Sequence, residues 1–495
     1  MAEPREPREP LGPLGPLGPL GPLGPLGPLG PRSQRPVDLA TLDAVHLVGI
    51  GGAGISAIAT ILASMGKRVS GSDLKDSAPV RRLAAAGVEV HVGHSAQWVG
   101  DVDAVGISTA IDDSNPEVAA ARVRGIPVLS RADLLAAICR TRRTVAVAGT
   151  HGKTTTTSML ALILVEAGMH PSFLVGGDLN EVGGGGAWDG AYPAAPFVVE
   201  ADESDGTFVE LGADSVIVTN LEPDHLDYWG GFGALVDAFG RFVADAPGVR
   251  LVGFDDPGAA ALAGPPGVLT FGASPDADWQ LLNPTLERSG TRFTVGRAGA
   301  EVAEISLAVP GMHNARNALA ALAMAAELGA PLEAAQRALS RYAGVARRWQ
   351  YRGEARGVTF IDEYSHLPSE VKAALSTAQA GKWPRVVAVF QPHRYSRTAA
   401  LWQDFADAFV GADLLIVTDI YSFGEQPRPG VTGKLIVDAV LDAHPNATVA
   451  WLPSRRDVIA YLQRTLRPGD LCLTMGAGDV TSLPDEMLGV LAGTE

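Results

Sequence analysis

Short apolar runs alternate with longer helical stretches along most of this chain. Residues 44–50 form the first run, with Val45, Leu47 and Val48 as its apolar body. A glycine-rich turn follows, then helical periodicity over 53–65 and a second short run at 67–72. Strands alternating with helices imply βαβ units and a parallel sheet. The alternation continues to about Arg140 and restarts at Arg143. Residues 144–148 read as a strand with almost no polar surface, as expected of one buried on both faces. A helix is expected over 154–167, buried strands at 197–200 and 215–219, and an alanine-rich helix over 314–328. A third restart near Arg347 brings strands at 358–361, 385–390, 414–418, 448–452 and 470–474.

The fold class expected is therefore α/β in three domains: a Rossmann-like domain over 41–141, a central parallel-sheet domain of P-loop ATPase type over 142–343, and a Rossmann-like domain over 344–495. Linkers are expected near 141–143 and 342–346. Ahead of them, residues 3–10 repeat Glu-Pro-Arg and residues 11–31 repeat Leu-Gly-Pro. Proline at that density forms neither a helix nor a central strand. Residues 1–40 are thus expected to be a disordered tail biased to the polyproline conformation.

Composition narrows the function classes. A length of 495 residues with 46% apolar and 19% charged side chains suits several domains with cores of their own. A net charge of −16, from 39 basic against 55 acidic residues, argues against a nucleic-acid partner, which needs a basic footprint. Small phosphate-bearing ligands remain compatible, because local backbone cradles hold them. The only two cysteines, Cys139 and Cys472, offer neither a disulfide framework nor metal-ligand spacing. No apolar run reaches membrane-spanning length and no signal-peptide core stands at the start, so no membrane partner and a cytoplasmic location are expected. Oligomeric state is expected to be monomer or weak homodimer.

Two glycine-rich turns carry the chemistry. The segment Gly149-Thr150-His151-Gly152-Lys153-Thr154-Thr155 lies between an expected strand and an expected helix. Backbone N–H groups there would bind phosphate, Lys153 would reach the β- and γ-phosphates of ATP, and the Thr154 hydroxyl would ligate Mg²⁺. The strict P-loop pattern asks for glycine at position 147, which is Val147 here. Two acidic runs begin at the ends of expected strands, Glu200-Ala-Asp-Glu-Ser-Asp205 and Asn220-Leu-Glu-Pro-Asp-His225-Leu-Asp227. Ligands of open α/β sheets bind outside such strand ends. Glu200 and His225 are therefore read as completing the Mg²⁺ shell, with Asp224 and Asp227 able to orient the His225 ring. The other turn, Gly49-Ile-Gly51-Gly52-Ala-Gly54, fits the dinucleotide fingerprint, with Asp73 near the next strand end. Taken alone it reads as an NAD-dependent oxidoreductase, but the same turn holds any pyrophosphate.

Together these segments resemble the Mur ligase family over residues 44–482. The phosphate turn, both acidic runs, and Gly311-Met-His313-Asn314-Ala-Arg-Asn317 are similar to its central domain. The resemblance implies that ATP phosphorylates a substrate carboxylate and that the acyl phosphate is attacked by an amine, in peptidoglycan synthesis. It assigns His313, Asn314, Asn317 and, from Arg347-Arg348-Trp349, Arg348 to ATP binding. It assigns Gly51, Gly52, Gly54, Ser72, Asp73, Ser108 and Arg131 to UDP-N-acetylmuramate, and His366 to catalysis beside Lys153, Glu200 and His225. The run Gln391-Pro-His393-Arg394-Tyr-Ser-Arg397 resembles the alanine-adding branch, with His393, Arg394 and Arg397 holding L-alanine. Some family members use a carbamylated lysine after the metal histidine. No lysine occurs here between Lys153 and Lys372, as in that branch. Leu367 replaces the second histidine of a His-His-Pro segment, so only His366 carries over. A recycling ligase that attaches a preformed tripeptide, and a non-catalytic nucleotide-binding scaffold, stay open as alternatives. The general base for the incoming amine is not legible; His366 and His393 are the candidates.

Overall fold

The computed structural model describes residues 36–108, 110–179 and 184–493. The Glu-Pro-Arg and Leu-Gly-Pro runs lie outside the described residues. Leu39 and Leu42 are already packed into the first core, behind a short turn in which Asp38 accepts from the Ala40 N–H.

The first sheet holds β1 (Ala44–Val48), β2 (Arg68–Asp73), β3 (Glu89–Val92), β4 (Ala104–Ile107) and β5 (Val128–Ser130), all parallel in the order 3-2-1-4-5. The order reverses beside β1, so the glycine turn that follows β1 sits at a switch point, where such sheets open a ligand crevice.

The central sheet has ten strands: β6 (Thr144–Ala148), β7 (Ser172–Leu179), β8 (Gly184–Ala187), β9 (Phe197–Glu200), β10 (Ser215–Val218), β11 (Arg250–Gly253), β12 (Val268–Gly272), β13 (Trp279–Glu287), β14 (Gly290–Arg297) and β15 (Ala300–Leu307). β6 lies between β10 and β9, and all three run parallel. Their C-terminal ends therefore deliver the phosphate turn and both acidic runs to one edge. This sheet is not wholly parallel: β13, β14 and β15 form an antiparallel meander, and β7 with β8 an antiparallel hairpin. The meander is hard to see in the sequence because Asn283-Pro284 interrupts its first strand. The chain accommodates the pair with a register shift between Leu282 and Thr285 and a left-handed Asn283. The helix Lys153–Glu166 is buried from Thr155 through Leu164, packed against the sheet and the helix Met312–Glu327. The alanines of the second helix let the two approach closely. Each large aliphatic side chain so buried contributes about 1.5–3 kcal/mol.

The third sheet orders β16 (Gln350–Ala355), β17 (Val358–Glu363), β18 (Arg385–Phe390), β19 (Leu414–Val417), β20 (Val449–Trp451) and β21 (Asp470–Met475) as 16-17-21-18-19-20, parallel except for the β16–β17 edge. β21 inserts between β17 and β18, which brings the loops after all three to the same end. Cys139 and Cys472 are free and buried, and burial pushes both thiols up to about 12. Among the described residues no helix is long and apolar enough to cross a membrane.

Candidate active site

The phosphate turn leaves β6 with Val147 inside the strand and fully buried, so the backbone freedom lies at residue 149. Gly149 (φ +133°) and Gly152 (φ +81°) both occupy the left-handed half of backbone space. A Cβ at Gly149 would collide with Thr219, and one at Gly152 with the Asn317 amide. Three elements thus converge on a turn that ends at a helix N-terminus, a favourable site for anionic oxygens.

Lys153 Nζ donates to the carbonyls of Gly149 (2.6 Å) and Thr150 (3.2 Å) and pairs with Glu203 at 2.8 Å. Burial works against the charge on Lys153, but Glu203 and Asp202 outweigh it and hold its pKa above the ordinary range. Burial pushes Glu203 up to about 7 against the pull of Lys153. Glu203 had no assigned role in the sequence; only its place in an acidic run hinted at one.

Thr154 Oγ1 donates to Glu200 Oε1 at 2.9 Å, and Glu200 Oε2 accepts from the Gly176 N–H at 2.7 Å. A hydroxyl and a carboxylate at this point suit Mg²⁺, which takes oxygen ligands and few protein carboxylates, leaving room for phosphates and water. Among the described residues no three His, Cys, Asp or Glu side chains are gathered into a metal-binding group. His225 stands in the next loop with a left-handed backbone (φ +52°), its Nε2 3.4 Å from Asp224 Oδ2. Burial first, then nearby Arg397, keep its pKa low against the pull of Asp224. The Asp227 side chain lies outside what is described.

A cavity of about 300 Å³ opens between the central and third domains. His151, Gly152, Thr155, His313, Asn314, Asn317 and Arg348 line it, as do Asn220, Asp255, Phe271, Ser369 and Glu370, which sequence reasoning missed. Gly149, Thr150, Lys153 and Thr154 adjoin it without lining it. Burial, with Arg348 and Arg316, lowers the His313 pKa to about 4, so that ring is neutral.

His151 clasps two domains. Its Nε2 is 3.3 Å from Glu222 Oε2 and 3.1 Å from Ser369 Oγ, and its Nδ1 is 3.3 Å from Glu370 Oε1. That last pair is at ion-pair distance without hydrogen-bond alignment. Burial opposes the charged ring, but the two carboxylates raise its pKa to about 9. A pKa raised on folding favours the folded, clasped form below the unfolded value near 6.5, and that contribution is lost as pH rises through 9. We expect thermal stability to fall between pH 7 and 9.5 by an amount equivalent to roughly 2–3 kcal/mol, and His151→Gln to flatten the fall. Parallel melting curves for the two proteins across that range would contradict the clasp.

In the third domain, His366 and His393 come together with ring centroids 5.5 Å apart. Arg397 Nη1 is 3.3 Å from His393 Nδ1, and its Nη2 is 3.2 Å from Asp224 Oδ1 of the central domain. Asp224, although buried, is held below the usual carboxylate range by Arg397 and His225. Arg394 (φ +65°) places its guanidinium 4.6 Å above the ring of Phe423, a further residue that sequence reasoning missed. Leu367 is buried, so the position of the absent histidine is a packing position here. Arg348 lies 3.9 Å from Glu370, and Arg347 donates to the carbonyls of Gly476 and Gly478.

In the first domain, Gly49 (φ +77°) makes the turn, its Cα facing Ser108 and Ile111. Gly51 N–H donates to Asp73 Oδ2 at 2.9 Å, and Gly52 precedes the helix Ala53–Ser64. A Cβ at Gly54 would press on Arg131 at 3.1 Å. The Arg131 guanidinium in turn reaches Asp202 (3.5 Å) and Asp205 (3.4 Å) of the central domain. Ser72 is fully buried and donates to Glu117 Oε2 at 2.6 Å; only its carbonyl serves the turn, accepting from Gly49 and Ile50.

Three family models match in succession: the Mur ligase family catalytic domain over residues 44–143, the Mur ligase middle domain over 147–325, and the Mur ligase glutamate ligase domain over 347–478. A UDP-N-acetylmuramate–L-alanine ligase of Pelotomaculum thermopropionicum is 46% identical over 440 residues, covering 88% of this chain and 94% of that protein. The crystal structure of a UDP-N-acetylmuramate–alanine ligase from Thermotoga maritima superposes with a TM-score of 0.78 at 28% identity, over 91% of this chain and 100% of the other. A murein peptide ligase from Psychrobacter arcticus gives a TM-score of 0.65 at 25% identity, over 91% and 99%. With all three domain models matched in order, the chain belongs to the Mur ligase family.

Proposed function

We propose that this protein joins L-alanine to the lactyl carboxylate of UDP-N-acetylmuramate at the expense of ATP, in the cytoplasmic synthesis of peptidoglycan precursors. The observation that carries this reading is the 46% identity, nearly end to end, to a relative named for that reaction. The site supports it. The phosphate turn, Lys153 and the helix N-terminus would hold the γ-phosphate while the carboxylate attacks it. Two anions must meet in that step, so positive charge and donors fixed in advance stabilise it. Thr154 and Glu200, with His225 nearby, would hold Mg²⁺, which neutralises phosphate charge when bound. Asn317, His313, Asn314 and Arg348 would surround the adenine nucleotide. The turn at Gly49–Gly54, with Asp73, Ser108 and Arg131, would take the UDP-sugar, and Arg131 would tie it to the central domain through Asp202 and Asp205. His393, Arg394 and Arg397 would bind the alanine carboxylate, to which paired guanidinium groups are suited.

Phosphate release from ATP and Mg²⁺ should require both UDP-N-acetylmuramate and L-alanine. Release driven by a tripeptide in place of alanine would reassign the chain to peptide attachment. Release that ignores the nucleotide sugar would remove the reading altogether.

A further inference from the structure

The two neighbouring imidazoles differ in which nitrogen is free. His366 Nδ1 lies 3.1 Å from the Tyr364 carbonyl and 3.2 Å from Glu370 Oε2. Both are acceptors, so Nδ1 carries the hydrogen and Nε2 keeps its lone pair. His393 Nδ1 instead faces Arg397 Nη1, which only donates. Its Nδ1 is therefore the acceptor and its Nε2 carries the hydrogen. Burial lowers the His366 ring to about 4 against the upward pull of Glu370, and burial with His366 and Arg397 lowers the His393 ring to about 3, so both are neutral near pH 7.

We infer that His366, oriented by Glu370, accepts the proton of the incoming amino-acid ammonium, and that His393 does not. The inference rests on the ligase function proposed above and assigns its proton acceptor. Glu370 is suited to positioning because it is fixed on every side. Its Oε2 accepts from the backbone N–H of His366 (2.8 Å) and Leu367 (3.1 Å), at the N-terminus of the helix Pro368–Ala380. Its Oε1 faces His151 of the phosphate turn and Arg348. Although buried, it stays ionised: His366, His151 and Arg348 hold its pKa well below the usual range. One carboxylate thus links the nucleotide site to the backbone that carries the imidazole, while the Tyr364 carbonyl accepts from Nδ1 and fixes the tautomer, with the charge of Glu370 beside it favouring the same form.

In the step, an ammonium proton passes to His366 Nε2 and the freed amine attacks the acyl phosphate carbon. The N–C bond forms, the C–O bond to phosphate breaks, and phosphate leaves with that electron pair. The second N–H proton departs with the phosphate, and the imidazolium returns its proton to water.

Hydroxylamine tests this directly, since it is largely unprotonated at neutral pH and needs no base. Wild type, His366→Gln, His393→Gln and Glu370→Gln would each be given ATP, Mg²⁺ and UDP-N-acetylmuramate, with saturating L-alanine or hydroxylamine. The readout is the ratio of alanine ligation to hydroxamate formation. We expect His366→Gln to lower that ratio by about 10²-fold or more, and Glu370→Gln by about tenfold. His393→Gln should raise the alanine KM and leave the ratio at saturation near wild type. A ratio unchanged in His366→Gln, with both products falling together, overturns the assignment, as does an equal fall in His393→Gln. Wild-type protein that forms neither product overturns the ligase function itself, and the assignment with it.

Discussion

Lys153→Ala is expected to lower ATP-dependent phosphate release by about 10³-fold. The Lys153 ammonium is the charge placed at the phosphate turn, and no other lysine occurs in the chain until Lys372. The substitution also exposes a second role. Lys153 is the cation paired with Glu203, which is nearly fully buried. Breaking a buried pair typically costs about 3–5 kcal/mol, because the remaining charge has lost its partner. Glu203 can escape that cost by taking up a proton, since its pKa is already pushed up to about 7. A carboxyl whose folded pKa lies above its unfolded value stabilises the fold less as pH rises between the two. Lys153→Ala should therefore lose more stability at pH 8 than at pH 6, and adding Glu203→Gln should restore stability at pH 8 without restoring turnover. Equal melting shifts at both pH values would show that Glu203 is not the source. Turnover within tenfold of wild type would remove Lys153 from the chemistry.

Glu200→Gln should cost about 10²-fold in turnover and shift the Mg²⁺ requirement to higher concentration. Both carboxylate oxygens are in use, one accepting from Thr154 and the other from the Gly176 N–H. An amide retains only one acceptor. Its NH₂ would then face either a hydroxyl already oriented as donor or a backbone N–H. The variant also removes the negative charge that would draw the divalent ion. A Mg²⁺ titration of phosphate release separates the causes: a curve displaced to higher Mg²⁺ supports a metal role for Glu200. A uniformly lower curve with the same midpoint would leave it a purely structural acceptor.

The three-sheet α/β architecture was legible because its parallel strands are nearly continuous apolar runs, such as Thr-Val-Ala-Val-Ala at 144–148. They need no knowledge of their neighbours to be recognised. The glycine turns were legible for a similar reason, since Gly149 and Gly152 are required by local backbone angles and close approach. The antiparallel edges were less so. β8 is mostly glycine, and β13 carries Asn-Pro and a half-exposed face, so neither shows the period of a strand.

By itself, then, the sequence determined the strand–turn–helix units, the absence of a lysine between 153 and 372, and the basic run at 393–397. These are properties of residues near one another in the chain. Only the tertiary structure decided which units meet. His151 reaches Ser369 across 218 positions, Arg397 reaches Asp224 across 173, and Arg131 reaches Asp205 across 74. Each contact follows from strand order and domain docking, which no local pattern encodes. The physical reason is that a charged side chain becomes informative only once burial has fixed its partners. Glu370 and Glu203 are ordinary acidic residues in the sequence. In the fold, one is held ionised among His366, His151 and Arg348, and the other is pushed toward neutrality beside Lys153.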